Sequence, residues 1–409
     1  MSRGTQQRSG SGAQARPGVT AARRLVFLIL LAPAAMAATA MIAQACSLFV
    51  PFDDYRGTGT GADAADASSL DGSADAEDSS CTGGDKADKA TDPSNCGACG
   101  RVCVEGAGSC IEGGCPLTAL FDEDAGAVQG LAVARRPDDS GADLYITSVA
   151  AFVARRSLES GTIEKAPTTG APARALALSE DGTLGVAAVG MTALESFDPA
   201  SFAGQQLKTI SGGHAGLAPV FLANGHVFWG DSAGAWWSDA APGAIASGGP
   251  DAGSAPPVAF AELSGSVLWV TASGAVFSTS AKNPGAVTLL VAGAGTETFA
   301  GIAASRKYLY LTERTALGGG LVIYAVANLA TPLKTIAMTD PQSVATDGEY
   351  VYVVDFAGKG QGDSRLLRMK ADGTQLVTLA RGLRSSRGLA LEGPWVYFAS
   401  GSQVLRTSR

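Results

Sequence analysis

Seven apolar tetrads recur along the chain at near-constant spacing, and no other feature of the sequence limits the possible fold so strongly. They are GLAV at 130, ALAL at 175, PVFL at 219, PVAF at 257, GIAA at 301, SVAT at 343 and GLAL at 388, separated by 45, 44, 38, 44, 42 and 45 residues. After a polar or glycine-containing turn each is followed by a second apolar run: LYIT (144), LGVAAV (184), HVFWGD (226), SVLWVT (266), YLYLTE (308), YVYVVD (350) and WVYFAS (395). The EDG, ANG, LSG, TDG and EGP triplets between them suit tight hairpins. A third run follows in every unit, from FVARRSL at 152 to QVLRTS at 403. A fourth follows in the first six, from TIEKA at 162 to QLVTLARG at 375.

A repeat near 43 residues built from four short strands has the period of a β-propeller blade. Composition agrees: 53 of the 409 residues are glycine, and Gly, Asp and Ser punctuate short apolar runs where a helical protein would show longer periodic ones. The seventh unit has only three strands. PLTALFDED at 116–124 matches QLVTLARG in pattern and supplies the fourth. Residues 116–409 are therefore expected to be all-β, a seven-bladed propeller whose last blade is completed by a strand from the N-terminal side. That arrangement pairs the free edge and holds the two ends of the array together. The V-Y-[VWF] pattern after D-G resembles the YWTD and NHL classes of propeller, and bacterial extracytoplasmic propellers with VYW-type repeats. The resemblance spans 116–409 and implies an architecture, not a subfamily.

Residues 1–45 have the order of a secretory signal: Arg23 and Arg24, an uncharged run from 25 to 45, then small residues before Cys46. A cysteine in that place resembles the lipobox of bacterial lipoproteins, which implies acylation of Cys46 and a lipid anchor at the cell envelope, at the outer membrane. Ala43-Gln44-Ala45 equally satisfies the A-x-A rule for ordinary secretion, and an uncleaved run of this length could span a bilayer. The Arg pair also resembles a twin-arginine export signal, flanked here by Ala22 and Leu25.

The segment 46–80 follows as an acidic linker; from 51 to 80 it holds eight acids and one arginine with few apolar residues, too little to offset the entropy of ordering. Six of the seven cysteines then crowd into 81–115: Cys81, Cys96, Cys99, Cys103, Cys110 and Cys115. Setting Cys46 aside as acylated explains the odd count. So short and polar a segment needs covalent staples, and an exported location permits three disulfides in any of fifteen pairings. Zinc, an iron-sulfur cluster or a Cys96/Cys99 redox pair would each require reduced thiolates. The NCGACGRVC string at 95–103 resembles a module of exported bacterial lipoproteins and the plant Stig1-type cysteine-rich domains.

Charge and residue usage narrow the function. Without the five arginines of residues 1–45, 25 basic residues face 38 acidic ones, a net of about −13, which disfavours nucleic acid. His214 and His226 are the only histidines and lack metal-ligand spacing. No G-x-S-x-G elbow or other nucleophile setting is present, so no catalytic residue, metal or cofactor is assigned. Propeller lactonases and lyases hold a channel metal with repeated His or acidic ligands; the strand ends here do not repeat such ligands. Binding has more support. Trp236 and Trp237 are consecutive, so in a strand they face opposite sides, and Trp229 lies close by; an exposed cluster would suit a carbohydrate or protein partner, while packing between blades is the structural alternative. TERTALGGG (312–320) and DFAGKGQGDS (355–364) read as longer loops on one face. The expectation is a lipid-anchored extracytoplasmic binding or scaffolding propeller, with an envelope propeller enzyme as the alternative.

Overall fold

In the computed structural model, strands and turns account for the described residues, among which there is no α-helix. Those residues are 115, 117–121, 127–136 and 140–409, apart from 191, 204, 206, 213–218, 232–233, 241–246, 249–255, 294–297, 316–317, 357–363 and 385–387; at 210–212 and 247–248 only the backbone is described. The signal segment, Cys46, the acidic linker and all but the last residue of the cysteine-rich segment lie outside them.

The strands form seven four-stranded sheets. Blades 1 to 6 are antiparallel meanders over 128–167, 173–212, 220–248, 257–291, 298–338 and 341–383. Blade 7 combines Leu389–Glu392, Trp395–Ser400 and Gln403–Ser408 with the distant strand Thr118–Phe121. That strand runs antiparallel to Gln403–Ser408, with Thr118 opposite Arg406, Ala119 opposite Leu405 and, after a bulge, Phe121 opposite Val404. The borrowed strand read from the sequence is thus in place. The first strand of every blade touches the first strands of both neighbouring blades, and Leu389–Glu392 of blade 7 touches Val128–Arg135 of blade 1, so the ring is closed.

Burial follows position in the blade. The second strands are sandwiched on both faces by other blades; Ala142–Ser148 is buried at all seven positions and Gly185–Val189 at all five. This is why they read as continuous apolar runs instead of alternating ones. The outermost strands face solvent on one side, and Ile163–Pro167 is largely exposed. Apolar clusters fill each interblade interface in turn, from Tyr145, Phe197 and Phe202 between blades 1 and 2 to Leu120, Phe121, Leu144 and Tyr397 between blades 7 and 1. Each fully buried side chain of leucine or phenylalanine size contributes about 1.5–3 kcal/mol.

The small residues of the tetrads have a packing cause. A Cβ on Gly130 would stand 2.7 Å from Thr147 Oγ1 and 3.1 Å from the Leu176 amide of the next blade, and one on Gly301 would stand 3.2 Å from the Gln342 carbonyl. First strands converge on the ring's centre, and glycine lets their backbones approach. At the hairpins, Asn224-Gly225 (φ 49° and 77°) and Ser264-Gly265 (φ 51° and 79°) are two-residue connections with positive φ throughout, the type I′ geometry that matches strand twist.

One expectation is corrected. TERTALGGG is not a loop: Tyr308–Thr315 and Gly318–Ala325 pair along their length, Thr312 opposite Leu321 through Thr315 opposite Gly318. Thr312 is fully buried, and two of the three glycines face tight neighbours: a Cβ on Gly319 would meet the Glu313 carbonyl and the Pro341 ring, each at 2.5 Å, and one on Gly320 would stand 3.0 Å from Thr335, whereas Gly318 takes a positive φ of 144°. In DFAGKGQGDS, 357–363 lie outside the described residues, and Asp355 and Ser364 end strands.

Because each blade is a meander, turns from first to second and from third to fourth strands share one face, here called the lower face. The other connections share the upper face. There Asp355, fully buried at the end of its strand, accepts the Thr339 and Asp340 amides at 3.0 and 2.8 Å and pairs with Arg365 at 3.0 Å, tying blade 5 to blade 6.

Candidate functional site

Three of the cavities on the lower face are lined by described residues of successive blades. The largest of these three, about 900 Å³, is walled by the first-to-second-strand turns of three successive blades, around Ser264-Gly265, Arg306-Lys307 and Gly348-Glu349, with the Lys370–Asp372 turn of blade 6 beside them. Its charged lining is Arg306, Lys307 and Lys370 against Glu262, Asp347, Glu349 and Asp372, and Tyr308 adds a half-buried ring. Burial, and then the charge of Glu180, push the Glu262 carboxyl above its ordinary range. Asp347 is held by structure: it accepts the Tyr352 hydroxyl at 3.1 Å and pairs with Arg409 of blade 7 at 3.0 Å.

The other two cavities flank blade 1 and share Arg135. One, of about 490 Å³, lies between blades 7 and 1; the other, of about 430 Å³, lies between blades 1 and 2. Blade 1 carries Arg135, Arg136, Arg155 and Arg156, from two copies of the string VARR at 133–136 and 153–156. Buried Asp143 organises them: Arg136 Nη2 donates to it at 2.6 Å and Arg155 stands 3.8 Å away. Arg136 also donates to Ser157 at 2.9 Å. Arg155 pairs with Glu164, donates to the Pro199 carbonyl of blade 2, and lies 5.3 Å from the centre of the Phe202 ring. Arg156 donates to the Leu120 carbonyl of the borrowed strand, and Arg135 pairs with Glu392 of blade 7 at 2.6 Å. Burial and then Asp143 push the neighbouring Tyr145 phenol up to about 12, which keeps it neutral. The quartet clamps blade 1 to both neighbours. Sequence reasoning did not single it out, although the duplicated VARR was a visible signal.

The tryptophans divide between two interfaces. Trp229 is fully buried and packs with the half-buried Trp236 between blades 2 and 3, whereas Trp237, 7 % exposed, packs against Val267 and Ala281 between blades 3 and 4. Adjacent positions do face opposite ways, and in this fold both ways lead to a neighbouring blade. His226 is half-buried, its Nε2 3.3 Å from Asp239; His214 lies outside the described residues. Cys115 is buried and disulfide-bonded, and its carbonyl lies 3.5 Å from Thr407 Oγ1. The rest of the cysteine set, Cys46, Cys81, Cys96, Cys99, Cys103 and Cys110, lies outside the described residues. Among the described residues, no three His, Cys, Asp or Glu side chains cluster as a metal site would require.

No protein-family model matches the chain, and no curated protein sequence matches it. Solved structures do. The fold is similar to that of U3-55K (TM-score 0.55, 12% identity, 72% of this chain and 98% of that one). It is also similar to the RRP9 WD40 repeats (0.55, 13%, 71% and 97%) and to the WD40 propeller domain of Doa1 (0.54, 12%, 71% and 95%). At such identity the likeness shows a shared propeller fold and nothing finer.

Proposed function

We propose that the propeller is a non-enzymatic binding and scaffolding module, displayed outside the cytoplasm on a lipid anchor at Cys46, that docks a protein partner on its lower face at blades 4 to 6. The observation that carries the reading is the depression of about 900 Å³ built from the turns of three successive blades. Turns held on a rigid ring are a stable platform for recognition. The lining mixes three basic and four acidic side chains around Tyr308, a pattern that selects a partner by complementary charge and anchors it on an aromatic ring. The similarity to WD40 propellers is compatible with scaffolding. Export and anchoring rest on the order of segments before residue 115: signal, cysteine, acidic spacer and cysteine-rich staple.

Reversing charge with R306E/K307E tests the docking site. In full-length protein extracted from membranes, a stoichiometric partner should be retained by the natural chain and lost by the variant, with the thermal transition unchanged; retention by both would refute the site. Mass spectrometry tests the anchor separately. A diacylglyceryl adduct on Cys46 is expected, and a free amine on that residue or an intact Met1 would refute lipidation.

A further inference from the structure

The cavity between blades 7 and 1 differs chemically from the docking depression. Its charged walls are Arg135, Arg406, Glu159 and Glu392, two of each sign. Arg135 and Glu392 already neutralise each other at 2.6 Å, and Glu159 accepts the Ala142 amide at 2.9 Å and faces Arg136 at 3.2 Å. The wall gives neither a cation nor an anion a net electrostatic advantage. What it offers is donors and acceptors side by side.

The same cavity is lined by Trp395, half-buried, with the Arg406 guanidinium 4.4 Å from its ring centre. A ring backed in this way is held in one orientation. A matching ligand is uncharged, presents an apolar face of ring size, and carries around its edge groups that both donate and accept hydrogen bonds. A pyranose has all three properties: C–H groups on its face and hydroxyls at its rim. We propose that this seam cavity is a saccharide-binding site for a neutral hexopyranoside unit, with Trp395 as the platform and Glu159, Glu392 and Arg135 as the hydrogen-bonding rim. Peptide side chains of either charge meet like charge here as often as opposite charge, which disfavours them. The site is separate from the depression of blades 4 to 6 and stands or falls independently of it.

Calorimetric titration of the full mature chain with maltotriose, cellotriose and triacetylchitotriose tests the assignment. At least one should bind with Kd of about 1 mM or tighter. W395L, which keeps apolar bulk but removes the ring, should weaken binding about tenfold or more at an unchanged melting temperature. If W395L melts early, E159Q decides: it changes a half-exposed rim acceptor and should weaken binding about threefold without touching the fold. R306E/K307E should bind sugar like the natural chain. Binding of none of the three sugars, or binding equal in W395L and E159Q to the natural chain, overturns the proposal.

Discussion

Blade 6 takes its four strands from the continuous stretch 341–383, whereas blade 7 takes three from 389–408 and its outermost from Thr118–Phe121. The two blades have the same strand order, yet their outer strands are held differently. In blade 6 the outer strand Val377–Leu383 has seven residues and follows its partner through a short turn. The borrowed strand has four, and no local turn holds it in register. It is compensated from the side: Leu120 and Phe121 are 5 % and 4 % exposed in the interface with blade 1, Arg156 grips the Leu120 carbonyl, and Arg135 bridges to Glu392. Closing a ring over such a long chain separation is slow and entropically costly, so side-chain ties substitute for the missing connection.

That contrast can be broken in graded steps. Removing 117–121 should abolish the cooperative thermal transition and open the ring to limited proteolysis, because it uncovers the edge of Gln403–Ser408 and takes Leu120 and Phe121 out of the apolar interface with blade 1; a domain melting as before would defeat the closure argument. Phe121→Ala and Leu379→Ala sharpen the comparison. Each should cost about 2–5 kcal/mol, but a cost confined to blade 6 would mean that the borrowed strand is packed only loosely. Asp143→Ala should cost about 1–3 kcal/mol in chemical denaturation, since it removes the buried acceptor that Arg136 and Arg155 share while leaving them Glu159 and Glu164. A double-mutant cycle of Arg135→Ala with Glu392→Ala should show a coupling under about 1 kcal/mol, because the Arg135 side chain is 68% exposed.

The smallest effect is with pH. Hydroxyl donors Ser179, Ser201 and Thr374 hold Asp181, Asp198 and Asp372 below the ordinary carboxylate range. A carboxyl lowered in the folded state adds stability that is complete above its unfolded pKa and is lost as pH falls through the folded value. Asp181→Asn should therefore lower the melting temperature slightly at neutral pH and flatten the acid end of the profile, where the two chains converge.

Most of the fold was legible because blades repeat. The tetrads fall within all seven first strands or overlap them, HVFWGD, SVLWVT, YVYVVD and WVYFAS coincide with second strands, and the incomplete last unit pointed to PLTALF. What stayed hidden depends on contacts between distant residues. Arg135 and Glu392 are 257 positions apart, and only ring closure makes them neighbours. Trp236 and Trp237 were readable as opposite-facing, but whether either side meets solvent depends on the thickness of the flanking blades. TERTALGGG misled because glycine and threonine signal turns locally, while here Gly319 and Gly320 serve close approach inside a long hairpin. The seam cavity was not legible at all; Trp395 reads only as the first residue of a strand, and its guanidinium partner comes from the next strand across.

Cys115 lies beside Thr407, at the end of the borrowed strand where Thr118 faces Arg406. A pull directed across the ladder at this end reaches it at its terminal rung, and under such a pull the rungs would give way singly instead of resisting together. Loaded that way the seam is a peel joint with a stop: force peels Thr118 and Ala119 first, then meets the Arg156 grip at Leu120 and the buried Phe121. If a tether does hold this molecule against a docked partner, its strength is set by that stop more than by the seven blades behind it.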